Sequence, residues 1–132
     1  MLKFLFSKPK LSKNNFEFKL IHSYENRKKE ALRIISNNPD KVPIILEKAD
    51  NVKIGNLDIN KYLINKEITI GQFLHVIRKK LGLSLNESLF LFVNNKYIPK
   101  TEETLENIYN KYLDQDNFLY ISYTPNNKLG YF

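Results

Sequence analysis

Thr69-Ile70-Gly71-Gln72-Phe73-Leu74-His75-Val76-Ile77-Arg78-Lys79-Lys80-Leu81-Gly82 is the segment that organises the rest of the chain. Ile70, Phe73, Leu74, Ile77 and Leu81 recur at the spacing that lines one face of an α-helix, Thr69 can cap its start, and Gly82 can end it in a left-handed conformation. Such a helix must lay its apolar face on something, and extended segments stand on both sides of it. Downstream, Leu89-Phe90-Leu91-Phe92-Val93 reads as a strand, and Asn94-Asn95 tolerates the positive φ of a tight turn. Upstream, Val42-Pro43-Ile44-Ile45-Leu46 reads as a buried strand whose proline sits near its start, where a missing donor does least harm. Lys61-Tyr62-Leu63-Ile64 is a second extended segment after the turn region Gly55-Asn56-Leu57-Asp58.

Further out, Leu105, Ile108, Tyr109 and Tyr112 predict another helix, capped by Thr101 or Thr104, before a last strand Phe118-Leu119-Tyr120-Ile121-Ser122-Tyr123. From Phe16 to Asn38 the pattern is helical. Phe18, Ile21 and Tyr24 share one side, Ala31, Leu32, Ile34 and Ile35 supply another, and Asn37-Asn38-Pro39-Asp40 stops it, which fits two short helices better than one long one. Residues 1–15 are a lysine-rich leader with an apolar tip, outside the core; 16–123 form the domain; 124–132 are a polar tail. Two helices followed by strand, strand, helix, strand, helix, strand predict an α+β chain with the β-grasp (ubiquitin-like) order and two added N-terminal helices.

Composition narrows the function. A chain of 132 residues with 42% apolar content can build one modest core without staples. There are no cysteines, so a disulfide framework, a thiolate metal site and a nucleophilic Cys are excluded. No apolar run reaches membrane-span length, and Met1-Leu2-Lys3-Phe4-Leu5-Phe6 is too short for a signal-peptide core, so the expectation is a soluble cytosolic protein. Of 21 basic residues only Arg27, Arg33 and Arg78 are arginine, and the net charge of +7 suits acidic partners in general. No basic helix, zinc-ligand spacing or stacking motif points to nucleic acid. His22 and His75 stand far apart with no ligand cluster, no phosphate-binding or nucleophile motif occurs among the four glycines, and Glu102-Glu103 suits a helix start. No metal, cofactor or enzymatic activity is therefore expected, and the function is expected to lie in binding or in being attached.

Asn38-Pro39-Asp40-Lys41-Val42-Pro43-Ile44-Ile45-Leu46-Glu47-Lys48-Ala49 closely resembles a signature of the GABARAP-type ubiquitin-like modifiers of autophagy, also called the autophagy-related protein 8 family. Further stretches agree in order and spacing: Tyr24 to Glu30, Lys61 to Ile64, Ile68 to Phe73 with Val76 to Lys80, Leu89 to Asn95, Phe118 to Tyr123, and finally Gly130. The resemblance covers about residues 16–130.

It implies that a cysteine protease cuts after Gly130, that activating and conjugating enzymes carry the new carboxylate as a thioester, and that phosphatidylethanolamine receives it. The lipid would hold a cytoplasmic monomer at autophagosomal membranes, or at a plastid in some lineages, where it recruits cargo receptors. An unconjugated peptide-binding adaptor is the alternative. The resemblance also implies two pockets on one face for aromatic-x-x-aliphatic peptides that add a strand to the free edge of the second strand. By position the aromatic pocket is Glu30, Ile34, Pro43, Ile45, Lys61, Leu63 and Phe118, and the aliphatic pocket is Tyr62, Ile64, Ile68, Phe73, Val76, Ile77 and Lys80. Taken singly, Ile34, Ile45 and Phe73 fit a plain core role equally well. Phe90, Leu91 and Phe92 mark a second face, although core packing accounts for at least two of them. Rim lysines suit acidic residues beside the peptide motif, but Ile59 stands where the family carries a basic residue and Asn65 where it often has proline, which weakens that preference. Leu129 replaces a commoner aromatic residue before Gly130, and one residue is added between Asn95 and Thr104.

Overall fold

The computed structural model describes residues 15–125, so most of the leader and the tail with Gly130 lie outside the described residues. The elements are α1 (Glu17–Ile21), α2 (Tyr24–Asn37), β1 (Lys41–Lys48), β2 (Lys61–Asn65), α3 (Ile70–Leu81), β3 (Phe90–Val93), α4 (Leu105–Tyr112) and β4 (Leu119–Thr124). The four strands form one mixed sheet in the order β2-β1-β4-β3. β1 runs antiparallel to β2 and parallel to β4, and β3 is antiparallel to β4. This is the α+β, β-grasp arrangement with two leading helices that the order of elements predicts.

Local chemistry explains the boundaries. In α3 the Thr69 hydroxyl accepts from Gln72 N at 3.2 Å while Gln72 Oε1 accepts from Thr69 N at 2.9 Å, a reciprocal cap that satisfies two otherwise orphan donors. Gly82 ends the helix at φ +68°, and Arg78, Lys79 and Lys80 occupy its negative pole. Thr104, not Thr101, caps α4, accepting from Asn107 N at 3.2 Å. Thr101 instead offers its carbonyl to Gly71 N at 2.9 Å, so close that a Cβ on Gly71 would lie 3.2 Å from that oxygen. Asn94 and Asn95 adopt φ of 53° and 60°, as their place after β3 requires.

Strand alternation gives the sheet two buried faces. Val42, Ile44 and Leu46 of β1, Leu119, Ile121 and Tyr123 of β4, and Leu91 and Val93 of β3 join Ile70, Phe73 and Ile77 of α3 and Leu105 and Ile108 of α4 in the main core. On the other face Ile45, Phe118 and Tyr120 pack with Phe16, Phe18, Ala31 and Ile34 in a smaller cluster under α1 and α2. Of the apolar residues expected inward on these helices, Ile21, Tyr24 and Leu32 are exposed. The chain leaves the helix at His22 and restarts at the Ser23 cap, so the 18-21-24 spacing is broken, while Leu32 sits off the inward line of Arg27, Ala31 and Ile34.

Arg27 and Asp116 join the helices to the sheet. Asp116 is fully buried and accepts from Arg27 Nε at 2.8 Å, Tyr120 Oη at 2.5 Å and Phe118 N at 2.9 Å. The other side of the guanidinium donates to the His22 carbonyl at 2.7 Å. Burial first, and the bond to Asp116 second, push the Tyr120 phenol above its ordinary value of 10.0. A phenol whose folded pKa is raised stabilises the fold below its unfolded pKa and loses that contribution as pH rises above it. Asp116→Ala would leave Arg27, Tyr120 and a buried backbone N–H without their acceptor. It is expected to destabilise the domain by roughly 3–5 kcal/mol, read as a lower urea midpoint at unchanged slope.

Candidate functional site

Among the described residues β2 lies at the edge of the sheet and pairs only with β1, so alternate backbone groups along its outer side are open to an added strand. Its side chains alternate. Lys61 and Leu63 point to the α2 side, where Lys61 meets Glu30 of α2 in an ion pair and Leu63 remains 37% exposed. Tyr62 and Ile64 point to the α3 side and join the main core. The two expected pockets therefore do not share one face of the sheet: they lie on opposite faces and meet along β2.

On the α2 side Ile34, Pro43, Ile45 and Phe118 are buried, with Ile45 and Phe118 fully inaccessible, so they are the floor of the smaller core rather than the walls of an open hole. Glu30 and Lys61 bridge α2 and β2 at its mouth. On the α3 side Phe73 and Ile77 are core, Ile64 and Ile68 are partly buried against it, and Val76 and Lys80 are exposed. Tyr62 is only 8% exposed, its ring meets Phe73 edge-on at 6.2 Å, and its hydroxyl has no hydrogen-bond partner among the described residues. What the surface offers is the backbone edge of β2, Leu63 exposed on the strand and Val76 on α3 as apolar side chains, the Lys61–Glu30 pair at one side and Lys80 near Tyr62 at the other.

Beyond Lys61 the edge opens into a groove of about 860 Å³ beside the end of the β1–β2 hairpin, bordered by Glu17, Glu47, Asp58, Ile59 and Leu63. Glu47 is a residue that sequence reasoning missed. Its carboxylate accepts from Glu17 N at 2.8 Å, Phe18 N at 3.0 Å and Asn60 Nδ2 at 3.3 Å, so it holds α1 to the hairpin. Its place at an outward position of an otherwise apolar strand was the available signal. Arg27 and Asp116 were also missed, although Arg27 falls four and seven residues before Ala31 and Ile34 on the inward line of α2.

At the far edge, Leu91 belongs to the main core and Phe92 is buried on the other face, leaving Phe90 half-buried as the accessible member of the expected second face. Both histidines are exposed, and among the described residues no cluster of His, Asp and Glu could hold a metal and no helix is long and apolar enough to cross a membrane.

The chain matches the family described as "Autophagy protein Atg8 ubiquitin like" over residues 26–130. It is 42% identical over 113 residues to autophagy-related protein 8e of Arabidopsis thaliana, covering 86% of this chain and 92% of that one. It is 43% identical over 113 residues to autophagy-related protein 8 of Mycosarcoma maydis, covering 86% and 95%. The crystal structure of Trypanosoma brucei ATG8 superposes with a TM-score of 0.79 at 36% identity, covering 84% of this chain and 95% of that one.

Because Leu63 is exposed and Tyr62 is core, the two must be tested apart. Leu63→Ala should weaken an aromatic-x-x-aliphatic peptide by about 2 kcal/mol in calorimetry while the melting temperature stays nearly constant. Tyr62→Ala should instead cost the fold roughly 3 kcal/mol. Tyr62→Phe should match or exceed wild-type stability, since the hydroxyl it removes is buried without a partner among the described residues.

Proposed function

Because the chain belongs to the Atg8 family of ubiquitin-like autophagy proteins, we propose that it is a modifier that is processed after Gly130, conjugated to phosphatidylethanolamine and used as a docking surface on autophagosomal membranes. The observation that carries this reading is that the family match runs through residue 130 and so ends on Gly130. A residue without a side chain suits the narrow channels of processing and transfer enzymes.

The chemistry divides between this chain and its partners. With no cysteine of its own, the chain supplies the carboxylate and the partners supply the nucleophiles. A cysteine protease hydrolyses the bond between Gly130 and Tyr131. An activating enzyme adenylates the freed carboxylate and takes it as a thioester, and a conjugating enzyme passes it to the lipid amine, which forms the amide as the thiolate leaves. The protein is thus not itself an enzyme, and no cofactor enters beyond the lipid it acquires. Two acyl chains are enough to hold a domain of this size firmly at a bilayer.

Once held there, the free edge of β2 with Leu63 and Val76 beside it receives partner segments, and main-chain bonds contribute affinity while the two side-chain steps contribute selectivity. The relatives compared above are named as autophagy proteins, which favours a cytoplasmic pool that exchanges with autophagosomal membranes.

Removing Tyr131 and Phe132 genetically should bypass the protease and still permit lipid attachment. Gly130→Ala should abolish stable membrane association with the docking edge intact. Mass spectrometry of the membrane fraction from the source cell reads both. Tyr131-Phe132 retained on the membrane-bound form, or lipid on the Gly130→Ala protein, would leave the unconjugated adaptor as the function.

A further inference from the structure

The groove that continues the β2 edge is electrically unlike a lysine-rimmed channel. Four carboxylates, Glu17, Glu47, Asp50 and Asp58, border it against two ammonium groups, Lys48 and Lys61. Lys61 is moreover held by Glu30. Ile59, 55% exposed, adds an apolar side chain to the same lining. Although the chain as a whole carries +7, the flank of this edge is negative. Some of the apolar lining, Leu57, Ile59 and Leu63, runs directly on from the step that Leu63 makes beside β2, so an added strand that covers Leu63 and extends past Lys61 enters the groove without a change of direction.

We propose that the groove recognises a basic flank: the partner segment that adds to β2 carries lysine or arginine on the side of its aromatic-x-x-aliphatic core that passes Lys61 towards Asp58. This inference rests on the docking reading above and adds to it the charge of the partner. The physical reason is the balance of terms. An acidic flank would meet Glu17 and Asp58, and to engage both lysines of the groove, Lys48 and Lys61, it would have to take Lys61 from Glu30, which leaves a carboxylate unpaired. A basic flank meets the two exposed carboxylates and leaves that pair intact. Glu47 is already engaged by the backbone of α1 and by Asn60, so it contributes field to the groove rather than a flexible partner. The long aliphatic stem of a lysine or arginine also has Ile59 and Leu57 to lie on.

The test uses synthetic peptides with one aromatic-x-x-aliphatic core and three flanks: a neutral serine pair, a lysine pair or a glutamate pair, each placed before or after the core. Binding to the full chain is measured by calorimetry at low and high salt. At one of the two positions the lysine pair should tighten binding roughly threefold or more over the neutral peptide, the glutamate pair should loosen it, and high salt should shrink both effects. Glu17→Gln with Asp58→Asn should flatten the series, and Asp58→Asn alone should flatten it in part, with an unchanged melting temperature showing that the fold is kept. Glutamate peptides that bind tighter than lysine peptides, equal affinities across the series, or a lysine preference that survives the double variant would overturn the proposal. The docking reading has its own control: a neutral peptide whose affinity ignores Leu63→Ala removes the edge as the site, whatever the flanks do.

Discussion

Asp116 is a fully buried carboxylate in the short loop between α4 and β4, and the attachment of α1 and α2 to the sheet depends on it. It takes Arg27 from α2, Tyr120 from β4 and the backbone of Phe118, while Arg27 reaches on to the carbonyl that ends α1. Burying an ion pair is costly in desolvation, and a well-packed apolar substitute can be equally stable. What the pair provides is a single geometry: α2 can sit over β1 and β4 only where guanidinium, carboxylate and phenol all meet. Lys19 to Asp114 at 2.7 Å, and the Glu47 carboxylate at the start of α1, fix the remaining freedom of that layer.

That placement decides the character of the candidate site. Because α2 is pinned, Ile34 closes on Ile45 and Phe118, and Glu30 is brought to Lys61 on the edge strand. One sheet therefore carries two independent hydrophobic layers, and the edge strand is where they come to the surface side by side. A strand added to β2 would have Leu63 exposed beside it on one side, with Tyr62 and Ile64 turned to the other layer. An interaction that lies far from the edge in sequence thus sets what the edge can bind.

The fold was largely legible because its periodic signals were local and unambiguous. The spacing of Ile70, Phe73 and Ile77, the caps Thr69 and Gly82, and the paired asparagines after β3 each place an element by its own chemistry. Resemblance then supplied the edge and the residues around it, and the family assignment agrees. What sequence could not convey was depth. Ile34, Ile45, Phe73 and Tyr62 are apolar whether they line a hole or fill a core, and only the packing of the second layer shows them filled. The residues that were missed, Arg27, Glu47 and Asp116, are charged and hence expected outside; the bonds that tie them across layers join Arg27 to Asp116, 89 positions apart, and Phe18 to Glu47, 29 apart, which no local pattern reveals. Ile21 and Tyr24 were misplaced for the opposite reason, since a helical spacing was carried across a break at Ser23.

The sheet order also governs the timing of assembly. β4 is the last strand among the described residues yet occupies an interior place, parallel to β1 on one side and antiparallel to β3 on the other. During synthesis the β1–β2 hairpin and β3 exist before the strand that joins them, each with an unpaired inner edge. Asp116, which fastens the helical layer, arrives in the same late segment. Neither half has a complete core until that segment emerges, so the incomplete chain leaves the inner edges of β1 and β3 unpaired, the kind of edge that invites pairing with another chain. Pairing β1 with β4 brings Ile44 to Leu119 across 75 positions of chain, the kind of non-local contact that slows folding.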